Sequence, residues 1–184
     1  YTIGNYLANE IAVKPIATTH EAFEATENTV REHISSLMNI GGKQSVESFH
    51  KRLGKIMWEK CGMSRNAKGL REAIEEIRAL KKEFWNDVRI PGAINEMNPE
   101  LDKANRAADF MELGELMCID ALDRAESCGG HFREESQTEE GEALRHDDQF
   151  LHVSAWKYEG EHNWALHKEA LEFELAKPTQ RNYK

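Results

Sequence analysis

The chain has 184 residues, 40% hydrophobic and 31% charged, which is typical of one soluble domain whose core needs neither metal nor disulfide. Its net charge of −9 argues against a nucleic-acid partner. No apolar run approaches the ~18 residues of a membrane span, so we expect no direct membrane insertion. Cys61, Cys118 and Cys128 are far apart, which favours reduced thiols in a cytosolic setting over a disulfide framework or an iron–sulfur site.

Residues 1–17 are fairly apolar and contain Gly4 and Pro15. We interpret them as the remnant of a preceding domain, forming at most a short helix or turn, because the sequence also opens without a methionine. A capping-box spacing from Thr18 to Glu21 predicts a helix that runs to about Met38. Its predicted buried face consists of Phe23, Val30, Ile34 and Leu37.

Two more amphipathic helices follow. Ser45 can cap the first, which is predicted to finish near residues 61–62. The second is predicted to start within residues 64–66 and to stop at Ile90, ahead of Pro91 and Gly92. The apolar face of the first helix contains Val46, Phe49, Leu53, Ile56 and Met57. The apolar face of the second contains Leu70, Ala73, Ile77, Leu80, Phe84 and Val88.

The strongest helix start in the chain is Asn98-Pro99-Glu100, which combines a capping side chain, proline at the first helical position and a carboxylate in the first turn. This helix is predicted to run to about Ala125. One face carries Leu101, Ala104, Ala108, Met111, Cys118 and Leu122, and the buried arc is widened by Phe110, Leu113 and Met117. We therefore expect it to be the most buried helix.

The last third of the chain changes character. Residues 126–148 contain eight carboxylates and two arginines, which predicts a solvated acidic loop or a docking surface for a basic partner. Alternating apolar residues in 150–175 then predict a β-hairpin with its turn at 160–163, followed by an extended basic tail at 176–184. The predicted fold class is mainly α: an antiparallel bundle of three to four helices within residues 18–184, with a C-terminal hairpin and tail.

The spacing of the histidines does not indicate a metal site. Glu47 and His50 form the only Glu-x-x-His pair within a predicted helix, whereas a di-iron bundle needs two, and His50 is predicted to face solvent. His162 and His167 are five residues apart in the predicted hairpin, which places them on opposite faces. We predict neither a metal site nor a catalytic or cofactor-binding residue in this chain.

The densest group of polar residues follows the predicted end of the long helix. It consists of Arg124, Glu126, Ser127, Cys128, Gly129, Gly130, His131 and Arg133. A glycine helix cap accounts for the two glycines but not for the charged neighbours. Two readings stay open: these residues attach the loop to the bundle by hydrogen bonds, or they form an interface with a larger domain. We expect exposed apolar surface near residues 1–16 and at Cys128–Phe132.

The combination of motifs resembles the C-terminal domain of the flavoprotein subunit of succinate dehydrogenase and fumarate reductase, from about Phe49 to Lys184. The residues that carry the resemblance are Arg65-Asn66, Glu112-Leu113, Leu116-Met117, Glu126-Ser127, Gly129, His131 and the step Arg145-His146-Asp147-Asp148-Gln149-Phe150. Cys128 and Gly130 depart from the family pattern, which has arginine and alanine there. An ion pair across the domain interface would therefore need Arg124 or Arg133.

The resemblance implies a subunit that binds FAD and interconverts succinate and fumarate, with electrons passing to an iron–sulfur subunit and to quinone at a membrane anchor. It places the complex on the cytoplasmic face of the bacterial inner membrane. The flavin-carrying and substrate-binding residues of the family lie upstream of this chain, so the chain alone is expected to be inactive and to hold no FAD. Its expected contacts are the flavin-binding domain of the same subunit and the iron–sulfur subunit. The alternatives are the related domain of L-aspartate oxidase and a free-standing helical interaction module.

Overall fold

A computed structural model describes residues 2–10 and 17–179. The expectations for residues 11–16 and for the tail beyond residue 179 lie outside the described residues. The helices are α1 (Thr2–Glu10), α2 (Glu21–Asn39), α3 (Val46–Lys60), α4 (Ala67–Asp87), α5 (Pro99–Asp123) and α6 (Asp147–Phe150). The strands are β1 (Gln44–Ser45), β2 (Ser64–Arg65), β3 (Val88–Arg89), β4 (Phe132–Arg133), β5 (His152–Gly160) and β6 (Asn163–Ala170).

Local capping fixes where the bundle helices begin. Ser45 Oγ accepts the Ser48 N–H at 3.2 Å, and the Asn66 and Asn98 side chains accept the N–H groups of Gly69 at 2.8 Å and Leu101 at 3.1 Å. All three starts agree with the sequence analysis. At the first helix the prediction was wrong in detail, because His20 rather than Thr18 is the N-cap of α2.

Helices α3, α4 and α5 pack together as the bundle, with α5 contacting both of the others. Their core consists mainly of Phe49, Leu53, Leu70, Ala73, Ile77, Leu80, Phe84, Ala104, Ala107, Met111 and Cys118. The predicted fold class of a mainly α domain with a C-terminal hairpin is confirmed. Two-residue parallel strand pairs, which the sequence did not predict, connect the ends of the bundle: β1 with β3, and β2 with β4.

Two predicted buried faces are corrected by the structure. On α5, Phe110, Leu113 and Met117 are about half exposed, so the buried arc of this helix is narrower than expected. On α2, only Leu37 is buried, while Phe23 and Val30 remain exposed. On α5 the cover is partial: the centroid of the Phe110 ring lies 5.9 Å from that of His50 on α3, and Leu113 borders a cavity with Trp156 of the hairpin.

Three boundaries also differ from the prediction. The third predicted helix stops at Asp87, because Val88 pairs with Gln44 in a strand. The hairpin begins at His152 after the short helix α6, and its second strand ends at Ala170 rather than Leu175.

The hairpin lies along α5. Trp156 Nε1 donates to Asp120 Oδ1 at 2.7 Å, and the Lys168 ammonium lies 3.5 Å from Asp123 Oδ2. These contacts supply the support that an isolated two-stranded hairpin lacks.

Candidate interface site

One end of the bundle brings together the N-terminus of α4 and the C-terminus of α5. Residues 124–136, here called the clasp loop, cross both helix ends. The loop is anchored by the parallel pairing of β4 with β2, and the Glu134 N–H donates to the Arg65 carbonyl at 2.9 Å. All eight candidate residues of the sequence analysis lie in this loop.

Arg133 is the buried cation of the clasp loop, with 3% of its surface exposed. Its Nη1 donates to the carbonyl oxygens of Ala121 at 2.8 Å, Leu122 at 3.2 Å and Arg124 at 3.4 Å. The last carbonyls of a helix have no partner within the helix and carry the negative end of its dipole. Arg133 therefore caps α5 from 12 residues away in sequence.

Two carboxylates of the same loop serve the opposite helix end. Glu134 accepts from the Asn66 side chain at 2.9 Å, and Glu135 accepts from the Ala67 N–H at 2.6 Å. Burial opposes the charge on Glu135, but this backbone hydrogen bond and the nearby Arg133 guanidinium outweigh it and lower the pKa of the carboxyl group. Anions at the N-terminus of α4 and a cation at the C-terminus of α5 both complement the helix dipoles.

Ser127 and Glu126 fasten the loop internally. Ser127 Oγ accepts the Arg133 N–H at 2.8 Å and donates to the Arg133 carbonyl at 3.1 Å. Glu126, 2% exposed, accepts from Arg124 Nη1 at 2.7 Å and from the His146 N–H at 3.0 Å. These buried polar groups are satisfied within the domain, as the hydrogen-bonding reading of the sequence required.

The two glycines do not cap the long helix, and that part of the prediction was wrong. Helix α5 ends at Asp123, with Arg124 as its cap. Gly129, with φ of +60°, instead allows a tight turn in which the backbones of Cys128 and His131 exchange two hydrogen bonds. The turn from Cys128 to Gly130 is exposed, whereas Phe132, the large apolar side chain of the segment predicted to be exposed, is half-buried.

His131 and Arg124 are half-buried and face into the clasp loop. His131 Nε2 lies 2.7 Å from the Arg124 carbonyl oxygen. Burial is the main reason why the pKa of His131 is lowered, although this hydrogen bond opposes the shift. The side chain of Arg124 pairs with Glu126 and donates to the His152 carbonyl at 3.0 Å. Arg124 and Arg133, the two residues proposed to replace the family arginine, are thus both engaged inside the domain.

A cavity of about 340 Å³ lies between the clasp loop, the base of the hairpin and the tail. Arg124, Cys128 and Arg145 line its polar side, and Phe150 and Phe173 its apolar side. The two arginines are neutralised by Glu126 and by Asp147, whose Oδ1 accepts Arg145 Nε at 2.9 Å. His152 also lines the cavity, and its buried Nε2 has no hydrogen-bond partner among the described residues.

Glu115 is a buried charged residue that was not predicted from the sequence. It is fully buried in the middle of α5 and lies 2.6 Å from Arg78 Nε and 3.0 Å from His162 Nδ1. A signal was present, because Glu115 stands between Met111 and Cys118 on the apolar face, where a carboxylate must be paired. Through His162 it also fixes the hairpin turn against the bundle.

The remaining histidine candidates do not form a metal site with the residues that the structure describes. His50 is exposed, as predicted, and His167 is also exposed. Within the described ranges, no three side chains of His, Cys, Asp or Glu come close enough together to hold a metal ion.

The architecture defines the class of protein: a helical domain with an appended hairpin, whose polar cluster holds helix ends together. Comparison with family models gives the particular family. Residues 50–183 match the model described as fumarate reductase flavoprotein C-term, and the chain belongs to this family.

Relatives and solved structures agree with this assignment. A fumarate reductase flavoprotein subunit of Helicobacter pylori is 30% identical over 131 residues, which cover 71% of this chain and 18% of the relative. The subunit of Escherichia coli is 28% identical over 156 residues, covering 82% of this chain and 25% of the relative. A structure of quinol-fumarate reductase with menaquinol molecules superposes with a TM-score of 0.75 at 23% identity, covering 91% of this chain and 28% of that one. The chain thus spans between 18% and 28% of the length of these proteins.

Among the described residues, no helix combines the length and the apolar character needed to cross a bilayer.

Proposed function

We propose that this chain is the C-terminal packing and assembly domain of an FAD-containing subunit that interconverts succinate and fumarate. In this proposal the flavin and the substrate are held by the flavin-binding domain of the same subunit. Electrons leave through an iron–sulfur subunit to quinone at a membrane anchor, on the cytoplasmic face of the inner membrane. The chain by itself holds no FAD and is inactive.

The observation that carries the proposal is the unpartnered apolar side of α2. Phe23 and Val30 are two turns apart on this helix and are 50% and 51% exposed. In α1, Ile3, Tyr6 and Leu7 are also exposed. An amphipathic helix gains most of its stability from packing its apolar face, so these faces indicate a missing neighbour. The flavin-binding domain is the neighbour that family membership supplies.

The clasp loop contributes to this role in two ways. Its buried members, Glu126, Ser127 and Arg133, stabilise the bundle end, as the distances above indicate. Its exposed turn, Cys128 to Gly130, offers backbone groups and a thiol to a partner surface. A cysteine cannot form the forked ion pair that arginine makes with a carboxylate, so the partner contact here depends on shape and backbone hydrogen bonds.

Flavin chemistry needs features that the described residues do not offer. Binding of a dinucleotide relies on a glycine-rich turn between a strand and a helix, where backbone N–H groups contact the pyrophosphate. The described strands are two-residue pairs and a hairpin, and none leads into a helix through such a turn. Hydride transfer also needs the substrate held against the flavin. These functions are assigned to the remainder of the subunit.

The test uses the full-length subunit with Phe23 and Val30 both changed to serine. We expect less FAD-loaded subunit and less co-purifying iron–sulfur partner than in the wild type, because the domain contact loses its apolar anchor. Trp58→Ser is the control, since Trp58 is an exposed apolar side chain, 84% exposed, on α3 rather than on α2. Equal flavin content and assembly in the double variant and the control would contradict the proposed contact.

A second measurement addresses the chain alone. The purified 184-residue chain should be colourless and show no calorimetric binding of fumarate or FAD. A yellow preparation, or succinate oxidation by the chain without the rest of the subunit, would contradict the assignment of catalysis to the other domain.

A further inference from the structure

One face of the hairpin carries three aromatic side chains. Trp156 and Tyr158 are two residues apart on β5, and Trp164 on β6 lies directly opposite Tyr158 in the strand register. Side chains two residues apart on a strand share a face of the sheet, and so do directly opposite residues on paired strands. The three rings therefore stand on one side of the hairpin, and the hydrogen bond from Trp156 to Asp120 shows that this side contacts α5.

Helix α5 places two carboxylates beside these rings. Asp109 and Glu112 are three residues apart, about one helical turn, so they lie on the same side of the helix. Helix and hairpin enclose a cavity of about 280 Å³, here called the aromatic–acidic pocket. Its lining includes Asp109, Glu112, Leu113, Trp156, Tyr158 and Trp164.

The rings of the pocket are held in place by the fold and remain accessible. Trp156 Nε1 donates to Asp120 Oδ1 at 2.7 Å, and the rings of Tyr158 and Trp164 pack edge to face with centroids 6.5 Å apart. Tyr158 is 57% exposed and Leu113 is 54% exposed, so a ligand can reach the pocket from solvent. Preorganised rings lose little conformational entropy when a ligand binds.

The charges of the pocket are unbalanced. Its lining contains the carboxylates of Asp109 and Glu112, and no lysine or arginine is among the described residues that line it. Within the part of the chain that the structure describes, Asp109 has no hydrogen-bond or ion-pair partner. Glu112 makes one long contact, 3.9 Å to the Lys81 ammonium, which also lies 3.8 Å from Glu161. A bound cation would therefore meet two carboxylates that are largely unpaired.

We propose that the aromatic–acidic pocket binds the guanidinium group of an arginine that another polypeptide presents. Cations are attracted to the faces of tryptophan and tyrosine rings. A guanidinium is planar and carries five N–H donors, so it can stack on a ring while it donates to Asp109 or Glu112. A quaternary ammonium has no donor for the carboxylates, and a lysine ammonium has no planar face to stack.

The shape of the pocket favours a side chain of a larger partner over a free small molecule. Small-molecule sites bury most of the ligand surface, whereas this pocket is open beside Tyr158 and Leu113. Tryptophan, tyrosine and arginine are also the residues that contribute most at protein interfaces. The net charge of −9 attracts a basic partner to the surface of the chain.

The experiment follows the tryptophan indole N–H signals of the isotope-labelled 184-residue chain by NMR. The probe is a capped glycine–arginine–glycine peptide. We expect the signals of Trp156 and Trp164 to move and that of Trp58, which is 84% exposed on α3, to stay. The matched peptide carries citrulline, which has the shape of arginine without its charge. It should bind about tenfold more weakly, a difference of about 1.4 kcal/mol.

Variants locate the binding site. Asp109→Asn combined with Glu112→Gln should weaken binding of the arginine peptide by about tenfold, because both charged acceptors are removed. Tyr158→Leu should weaken it by about threefold, because the side chain stays apolar but loses its ring. Asp102→Asn is the control, since Asp102 is an exposed carboxylate of the same helix that already pairs with Arg106 at 3.1 Å. Circular dichroism establishes that the variants are folded.

Equal binding of the arginine and citrulline peptides would overturn the proposal, and so would binding that the double carboxylate variant leaves unchanged. A trimethyl-lysine peptide that binds more tightly than the arginine peptide would overturn the choice of guanidinium. Saturation-transfer NMR on the full-length subunit tests the partner. Transfer to the arginine peptide should fall in the double variant there as well. If it is the same in both proteins, the rest of the subunit covers the pocket, and the assignment to another polypeptide is wrong.

Discussion

Arg133→Met tests whether the clasp loop holds the bundle together. Methionine keeps an unbranched apolar stem like that of arginine but removes the guanidinium that caps α5. The carbonyls of Ala121 and Leu122 then lose their donor at a site where Arg133 is 3% exposed. Glu135 loses its arginine partner as well, but it keeps the Ala67 N–H as a donor and is 46% exposed, so the carboxylate can be hydrated.

The expected loss of stability follows from burial. Removing one partner from a buried charged network costs about 3–5 kcal/mol, because the groups left behind stay desolvated and unpaired. For a chain of this size each kcal/mol lowers the thermal midpoint by about 2–4 °C. We therefore expect a free energy of unfolding lower by about 4 kcal/mol and a midpoint lower by about 10 °C.

The assay is urea unfolding followed by circular dichroism, with thermal scans in parallel. Arg106→Met is the matched control, since Arg106 pairs with Asp102 at 3.1 Å with 66% of its side chain exposed. That pair is expected to contribute less than about 1 kcal/mol. Arg133→Lys should fall between the two, because it keeps the charge but not the fork of donors. If Arg133→Met and Arg106→Met unfold at the same urea concentration, the capping role is refuted.

Three further predictions concern backbone clearance and pH. Gly42→Ala should destabilise the chain by about 2 kcal/mol in urea unfolding, because the new Cβ would lie 2.1 Å from the Asp87 backbone carbonyl. Gly54→Ala should instead stabilise α3 by about 0.5–1 kcal/mol, because no heavy atom lies within 4 Å of the new Cβ. Equal changes in the free energy of unfolding for the two variants would contradict this explanation. Hydrogen bonds from Arg52 and Gln44 lower the pKa of Glu83 from 4.5 to about 2. The contribution of Glu83 to the stability of the fold is therefore complete above pH 4.5 and is lost as the pH falls toward 2. The stability gap between wild type and Glu83→Gln should therefore close over that window, and a constant gap would exclude this linkage. Burial lowers the pKa of His131 below its usual 6.5, so the folded state disfavours the protonated ring and stability declines on acidification through 6.5. His131→Gln should flatten this decline in urea titrations between pH 7 and 5, and an unchanged slope would assign it to other groups.

Local signals in the sequence located most of the elements. Ser45, Asn66 and the Asn98-Pro99 pair each begin a helix where predicted, because a cap acts on backbone groups two or three residues away. The hairpin was also predictable from alternation and its turn residues. The short strand pairs were not, since β1 and β3 are separated by more than 40 residues and pair only after the helices pack.

The sequence by itself determined which residues are apolar, where helices start and which family pattern the chain carries. The tertiary structure decided which apolar faces are covered. Periodicity gives the same prediction for Leu37, which is buried, and for Phe23, which is half exposed, since it cannot show whether a neighbour exists. Tertiary structure likewise decided that Arg133 caps a helix 12 residues earlier and that Glu115 pairs with His162 across 47 residues. Burial and ion pairing depend on distances in space, which folding sets through long-range packing, whereas capping and periodicity depend only on neighbours along the chain.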